Sequence, residues 1–229
     1  MRSALTPAIT QPFMAILLAA GEGSRLGRVP KCLLRVCDQT LLERQIAALL
    51  KAGASNIVVV TGYFFNHIEA ELNRILDTSG VPLQIVRNTQ PEQGQQSSVL
   101  LGLAALAAHQ THSPVLIALA DQPLMEAADY CACVHAFENR PLDRNIVYPL
   151  VNQQRGNPVI MTHSVMRHVL ESGMTCRDYI HSHPDNVHRF VTGSDHFVFD
   201  IDAPSDLDRF KQRTGKALSL PIHRDSKLP

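Results

Sequence analysis

The stretch FMAILLAAGEGSRLGRVPK, residues 13–31, decides the fold. Its apolar part, Phe13–Ala20, is short and uninterrupted, which is typical of a strand covered on both faces in a parallel sheet. The loop after it holds three glycines that permit positive φ angles and close backbone approach to an anion: Gly21, Gly23 and Gly27. Arg25 and Lys31 add positive charge. The stretch therefore predicts a buried strand that runs into a phosphate-binding loop.

The glycine spacing narrows the kind of phosphate site. The pattern Gly-x-Gly-x-x-x-Gly fits neither the dinucleotide fingerprint Gly-x-Gly-x-x-Gly nor the P-loop, in which Gly-Lys-Ser/Thr follows four variable residues. Glycines after a strand also occur in turns that bind nothing. The two cations favour the phosphate interpretation.

Composition sets limits on the class of protein. With 229 residues, 45% of them hydrophobic, the chain can bury one α/β core. The formal charge of zero argues against a nucleic-acid partner, and no apolar run reaches the length of a membrane span. Five cysteines without a Cys-x-x-Cys motif indicate reduced thiols and a cytoplasmic protein. We expect a flexible leader at 1–12, one domain at 13–215 and a disordered tail at 216–229.

The first half of the chain alternates strands and helices. Thr40–Glu43 has the form of a capping box before a helix that ends at Gly53, and a polar loop at 89–98 precedes a helix over 99–109. Continuous apolar runs predict three further strands: Asn56–Gly62, Leu83–Val86 and Val115–Ala120. The alternation predicts a Rossmann-like, mostly parallel sheet flanked by helices, with ligands at the carboxyl ends of the strands.

The second half departs from this repetition. Strands are predicted at 145–150 and from Arg155 to Met161, and short helices at 164–171 and 176–181. A strand over His196–Asp202 precedes a last helix from Pro204 to about Arg213, because proline is favoured in the first turn of a helix. We expect this half to form the substrate side of the cleft.

Three acids are candidates for the site. Asp121 follows the fourth strand at the edge of the sheet where ligands bind, and Pro123 ends that strand. Asp200 and Asp202, two apart on the predicted strand, would point to one face. Asp121 and Asp202 can each also cap the helix that follows. A triphosphate held by N–H groups and cations usually needs Mg²⁺, which prefers carboxylates.

Six motifs in order resemble the MobA-like nucleotidyltransferases, and most nearly their molybdenum cofactor cytidylyltransferase branch. The resemblance spans residues 13–212 and rests on these segments: Leu18-Ala-Ala-Gly-Glu-Gly-Ser-Arg-Leu-Gly27, Lys31, Gly94-x-x-Ser-Ser98, Leu119-Ala-Asp-Gln-Pro-Leu124, Arg155-Gly-Asn-Pro-Val159 and Asp200-Ile-Asp-Ala-Pro-Ser-Asp-Leu207.

This resemblance implies a single domain of the nucleotide-diphospho-sugar transferase type. Such a domain transfers a nucleotidyl group from an NTP, here CTP, to a phosphorylated acceptor of the molybdopterin type and releases pyrophosphate, with possible handover to a molybdoenzyme. By matched position, Arg25, Lys31 and Asp121 would be catalytic, and Asp121 with Asp202, preferred over Asp200, would bind Mg²⁺. Nucleotide-binding positions would be Leu18, Ala19, Ala20, Gly21, Gly23, Ser24, Arg25, Lys31, Gly94, Ser97 and Ser98.

Departures from the family pattern leave alternatives open. The family often has arginine where this chain has Leu100, and Gln95 and Gln96 precede the serine pair, so the base and the acceptor stay undecided. The segment around Pro30–Leu34 also resembles sugar-phosphate nucleotidyltransferases, which makes a sugar or alditol phosphate the alternative acceptor. A non-catalytic nucleotide or pterin carrier is the alternative of another class.

Other reactive residues have plainer interpretations. Cys131, Cys133 and His135 do not share one face of a helix, so core cysteines are favoured over a metal site. The histidines at 181, 183 and 188 indicate a solvated loop. Arg177 contacts either an anionic group of the acceptor or solvent.

Overall fold

The computed structural model describes residues 11–79, 83–109 and 112–220. Most of the predicted leader, 1–10, and most of the predicted tail, 221–229, lie outside these residues. The strands are β1 (Phe13–Ala19), β2 (Arg35–Val36), β3 (Gln39–Thr40), β4 (Ala54–Thr61), β5 (Leu83–Arg87), β6 (Val115–Leu119), β7 (Ile146–Val151), β8 (Gln154–Arg155), β9 (Val159–Met161), β10 (Val187–Val191) and β11 (Leu218–Ser219). The helices are α1 (Leu41–Lys51), α2 (Phe65–Ser79), α3 (Gln95–Ala107), α4 (Ala127–Glu138), α5 (His163–Ser172), α6 (Cys176–Ser182) and α7 (Pro204–Thr214).

The main sheet has eight strands in the order β10-β7-β9-β6-β1-β4-β5, with β8 paired to β7. Strand β1 lies between β4 and β6 and is parallel to both, and all seven of its residues are buried. Strand β9 runs antiparallel to β6 and β7. The predicted Rossmann-like, mostly parallel sheet in a single domain is confirmed.

Alternate residues of β1 contribute to two cores, one on each face of the sheet. Phe13, Ala15, Leu17 and Ala19 belong to the core that α1 and α4 cover, whereas Met14, Ile16 and Leu18 belong to the core under α3 and α5. Helix α3 packs closely on the sheet at Gly102, where an added Cβ would lie 2.7 Å from Ile16 Cγ2. This double cover explains the uninterrupted apolar run of the sequence.

A small three-stranded sheet, β11-β2-β3, holds a third core next to the glycine loop. Leu34 and Val36 pack there with Phe199, Ile201 and Phe210. Because this core joins the segment after the glycine loop to the segment before α7, it brings Lys31 and Asp202 together, 171 positions apart in the chain.

Several predictions about elements are corrected, and one strand was missed. The strand predicted at His196–Asp202 is absent: a 3₁₀ turn covers Asp195–Val198, and residues 199–202 form no strand. The strand β10 was not predicted. Helix α3 begins at Gln95 rather than Val99, so residues 95–98 are its first turn instead of a loop. Strand β11 pairs with β2, so the tail is ordered at Leu218–Ser219.

The single strand predicted from Arg155 to Met161 is instead two strands, β8 and β9, separated by residues 156–158. The other predicted elements are confirmed within a residue or two. Thr40 caps α1 by accepting from the Glu43 N–H, and α7 begins at Pro204 as expected. Across the described residues, the helices are too short or too polar to cross a membrane.

Candidate active site

The glycine loop forms a tight turn at the carboxyl end of β1. Gly23 and Gly27 adopt left-handed conformations, with φ of 63° and 78°, on either side of a 3₁₀ turn at Ser24–Leu26. An added Cβ at Gly23 would lie 2.2 Å from the Val29 carbonyl oxygen, so this position requires glycine on two grounds. Gly21 does not adopt a positive φ angle, although the sequence predicted this freedom for Gly21, Gly23 and Gly27 alike. Its added Cβ would meet open space, because Gly21 lines the cleft that contains Lys31 and Asp121.

Lys31 lies between two of the three candidate acids. Its Nζ donates to Asp121 Oδ2 and to Asp202 Oδ1, both at 2.7 Å. The side chains of Lys31 and Asp121 are 15% and 23% exposed, whereas that of Asp202 is 52% exposed. Burial alone would lower the pKa of Lys31, but the two carboxylates outweigh it and hold this pKa above its ordinary value. The ammonium therefore stays charged and offsets one of the two carboxylate charges.

Arg25 lies at the rim of the same cluster. Its Nη1 is 4.0 Å from Asp202 Oδ2, and its side chain is 78% exposed. An exposed pair at this distance contributes little to stability, so Arg25 can turn to another anion at small cost.

Asp200 has different surroundings from Asp202. Its Oδ1 accepts from Gln122 Nε2 at 2.8 Å, and it makes no hydrogen bond to Lys31 within the described chain. Burial, and after it the charge of Asp121, raises the pKa of Asp200 to about 6. Asp202 is thus the acid that shares an ammonium with Asp121, while Asp200 lies deeper.

Gln122 was missed by the sequence reasoning, although it directly follows Asp121. Its side chain is buried, and Nε2 donates both to Asp200 and to the Phe197 carbonyl at 3.1 Å. The backbone carbonyl of Gln122 accepts a hydrogen bond from Gln45 Nε2 at 2.7 Å, and the Tyr130 hydroxyl donates to Gln45 Oε1. This buried network fixes the backbone that carries Asp121.

The donor set fits a divalent cation that is held together with phosphates. The nearest carboxylate oxygens of Asp121 and Asp202 converge on one point, since a single Nζ contacts both. No cluster of three metal-ligating side chains occurs in the described part of the chain. Two carboxylates are the usual protein share for Mg²⁺ when substrate phosphates complete the shell.

The segment Gly94–Ser98 surrounds the start of α3. Asn88 Nδ2 donates to the hydroxyls of Ser97 and Ser98 at 2.8 and 2.9 Å. Ser98 is 2% exposed, so its hydroxyl holds the turn against Asn88, whereas Ser97 is half-buried. Gly94, at φ 89°, is exposed. The open residues of this segment are therefore Gly94 and Gln95.

The side chains of Leu18 and Ala19 are buried, so these residues can reach a nucleotide only through their backbone. Ala20 is half-buried and Ser24 is exposed.

The other reactive residues lie apart from this cluster. Cys131 and Cys133 are buried in the core under α4, as the sequence favoured, and burial raises the pKa of both thiols. His183 stacks on Tyr179 with ring centroids 4.4 Å apart. Arg177 lines a second cavity beside Arg155.

Comparison with known proteins gives one family. The model of the MobA-like NTP transferase domain matches residues 15–185. A stretch of 108 residues is 41% identical to nicotine blue oxidoreductase of Paenarthrobacter nicotinovorans, and it covers 47% of this chain and 48% of that protein. The chain thus spans about half of the length of this relative.

Solved structures share the fold over most of the chain. Rv0371c of Mycobacterium tuberculosis superposes with a TM-score of 0.69 at 20% identity, covering 88% of this chain and 98% of that one. A manganese complex of the same protein superposes with a TM-score of 0.65. The 4-diphosphocytidyl-2C-methyl-D-erythritol synthase of Anaerococcus prevotii superposes with a TM-score of 0.67 at 14% identity, and the superposition covers 90% of this chain and 99% of that one. At these identities the likeness establishes the architecture.

Proposed function

The chain belongs to the MobA-like NTP transferase domain family, and we propose that it transfers a nucleotidyl group from an NTP to a phosphate-bearing acceptor. The observation that carries this proposal is the Lys31 ammonium, held at 2.7 Å by both Asp121 and Asp202 beside the glycine loop. One cation and two acids at the end of a central strand suit a triphosphate bound with a metal ion.

Each group has a defined role in this proposal. Backbone N–H groups of residues 21–25 and the mobile guanidinium of Arg25 bind the triphosphate. An acceptor phosphate oxygen attacks the α-phosphorus, the bond to the bridging oxygen breaks, and pyrophosphate leaves. No covalent nucleophile on the protein is needed, since alignment and charge neutralisation lower the barrier. Lys31 donates to the oxygens on which charge grows.

Asp121 and Asp202 would hold Mg²⁺, which when bound neutralises phosphate charge. Lys31 then exchanges its carboxylate partners for phosphate oxygens. The manganese complex of the structurally similar mycobacterial protein supports a divalent ion in this fold. Residues Gly94, Gln95 and Ser97 would face the base. Asp200, with its higher pKa and its bond to Gln122, would stay outside the metal shell.

We propose CTP as the donor and a molybdopterin-type cofactor as the acceptor, with handover of the product to a molybdoenzyme. Support comes from the Arg155–Val159 motif and from the fold shared with a diphosphocytidyl-methylerythritol synthase. A sugar or alditol phosphate is the alternative acceptor. We expect the protein to act in the cytoplasm, because all five cysteines are free.

A redox activity is the second candidate, because the relative from P. nicotinovorans is named an oxidoreductase. The glycine spacing at 21–27 departs from the dinucleotide fingerprint, which weighs against a tightly held nicotinamide cofactor. Nucleotidyl transfer is therefore preferred.

The decisive experiment incubates the full chain with each of the four NTPs, Mg²⁺ and a panel of molybdopterin, sugar 1-phosphates and alditol phosphates. We expect pyrophosphate release with one donor and one acceptor, and its loss in Asp121→Asn. NADH and NADPH oxidation, measured in parallel, reports the second candidate. Absence of pyrophosphate with every pair would refute nucleotidyl transfer.

A further inference from the structure

A groove lies between the helices α1 and α4. It has a volume of about 470 Å³, within the range of small-molecule sites, and it shares no lining residue with the cleft that contains Lys31. Four residues of α1 line it at the spacing of one helix face: Arg44, Ala47, Ala48 and Lys51. This space, the α1–α4 groove, is therefore separate from the proposed reaction centre.

The α4 side of the groove is built from small or apolar side chains. Ala127 and Ala128 form the first turn of α4, and Met125, which is 1% exposed, precedes them. Alanine has no side chain beyond Cβ, so Ala47 and Ala48 leave open space opposite these residues. A compact apolar body can therefore pack between the two helices.

Arg44 gives the groove a charge that the described residues do not neutralise. It forms no ion pair among them, and its Nε is buried without a hydrogen-bond partner. A buried donor without an acceptor costs free energy. A carboxylate or phosphate in the groove would supply the acceptor that the protein lacks, and the planar guanidinium of arginine matches both groups in shape.

The two other charges of the groove are exposed and opposite in sign: Lys51 and Glu126. Lys51 follows Arg44 by seven residues, or about 10 Å along the helix axis, which is close to the distance over which salt screens a charge. Glu126 offsets the charge of Lys51. The groove therefore keeps the single positive charge of Arg44, which favours a ligand with one anionic group.

The groove borders the network that positions Asp121. The Gln122 carbonyl, one residue further along, accepts from Gln45 Nε2 at 2.7 Å and from the Met125 N–H at 3.3 Å. Met125 lines the groove, and Gln45 directly follows Arg44. A ligand that contacts Arg44 and Met125 would therefore act on both donors of the Gln122 carbonyl.

We propose that the α1–α4 groove is a regulatory site for a small organic anion, with Arg44 as its anchor. The ligand carries one carboxylate or phosphate group on a compact apolar body, and its binding changes the backbone at Asp121 through Met125, Gln45 and Gln122. The inference goes beyond the proposed function and does not depend on which reaction the Lys31 cluster performs.

Binding is tested by NMR titration of the isotope-labelled full chain with benzoate and with phenyl phosphate. Benzyl alcohol, which has the ring without the charge, is the neutral control. We expect saturable shifts of the Ala48 and Ala128 amides with a Kd of about 1 mM for the better anion, and none with benzyl alcohol. The Asp121 amide should shift with the same midpoint as these two.

Two variants test the anchor and the groove. Arg44→Gln should raise the Kd about 10- to 100-fold, the fold-change of a lost charged hydrogen bond. Lys51→Met is the matched control, since it removes an exposed, screened charge from the same groove, and its Kd should change less than about twofold. Ala47→Leu fills the groove from an exposed position, so it should abolish the shifts while the thermal midpoint stays near that of the wild type.

The opposite results are equally distinct. Shifts that persist in Arg44→Gln, or equal binding of benzyl alcohol, would overturn the anion site. Shifts of Ala48 and Ala128 that depend on protein concentration without any probe would place a second copy of the chain in the groove and would also overturn it. An Asp121 amide that does not move when the groove is saturated would overturn the regulatory role.

Discussion

Replacing Lys31 by methionine removes the cation between Asp121 and Asp202 while it keeps most of the side-chain volume. The contact with the partly buried Asp121 is a charge-assisted hydrogen bond, whose loss costs about 1.5–3 kcal/mol. Because Asp202 is half exposed and solvent screens its charge, its contact with Lys31 contributes only about 0.2–1 kcal/mol to stability. We expect Lys31→Met to lower the free energy of unfolding by about 2–4 kcal/mol. The domain should still fold, because typical stabilities are about 5–15 kcal/mol.

The same variant should change metal binding and turnover in opposite directions. In the wild type, a divalent cation must displace an ammonium that both carboxylates bind; in Lys31→Met it meets two free carboxylates. Mg²⁺ should therefore raise the thermal midpoint more in the variant than in the wild type. Turnover should nevertheless fall about 100- to 1000-fold, since the charge that develops on the phosphates loses its donor.

The assay combines urea unfolding followed by circular dichroism, thermal unfolding with and without Mg²⁺, and pyrophosphate release. Lys51→Met is the control, because Lys51 is an exposed lysine at the end of α1. A variant that loses less than about 0.5 kcal/mol and shows the wild-type response to Mg²⁺ would refute the bridging role of Lys31. Unchanged turnover would remove Lys31 from the reaction.

Three further substitutions test other parts of the structure. Gly23→Ala places a Cβ against the Val29 carbonyl on a backbone whose φ is 63°. We therefore expect calorimetry to show NTP binding at least about 10-fold weaker than in the wild type. An NTP affinity equal to that of the wild type would exclude a tight loop. Glu71→Gln should cost about 1–2 kcal/mol at pH 7. Burial would raise the pKa of Glu71, but its hydrogen bonds hold this pKa below the ordinary value of 4.5. The stability cost of Glu71→Gln, measured by urea titration, should therefore vanish as the pH falls from 4.5 through the folded-state pKa. A cost that does not change with pH would contradict this. Gly102→Ala places a Cβ of α3 too close to Ile16, so the free energy of unfolding should fall by about 1–3 kcal/mol. An unchanged free energy of unfolding would mean that the helix can shift away from the sheet.

The sequence predicts the centre of the fold well because the signals there are local. Strand β1 is a continuous apolar run, and the glycines follow it directly. The segment 196–202 misleads for an identifiable reason. Phe197 packs in the core under α4, whereas Phe199 and Ile201 pack in the small third core. A segment that joins two cores shows the alternation of a strand without having a partner strand.

The edge strand β10 is missed for the opposite reason. His188 and Arg189 interrupt its apolar character, and Val187 is the one residue of this strand that is buried, so its pairing with β7 depends on tertiary contacts. The arrangement of the candidate site is likewise a long-range property. Lys31 meets Asp121 across 90 positions. Motif order indicates which residues gather, but the pairing of their charges requires the fold.

The small third core has a consequence for the order in which the protein is made. Every strand of the main sheet precedes Thr192 in the chain, whereas Asp202, α7 and β11 are synthesised afterwards. A nascent chain can therefore assemble the sheet, the glycine loop and the contact between Lys31 and Asp121 before the second carboxylate leaves the ribosome. Under the proposed function, metal binding by both carboxylates would then follow the synthesis of Asp202 and the assembly of the third core.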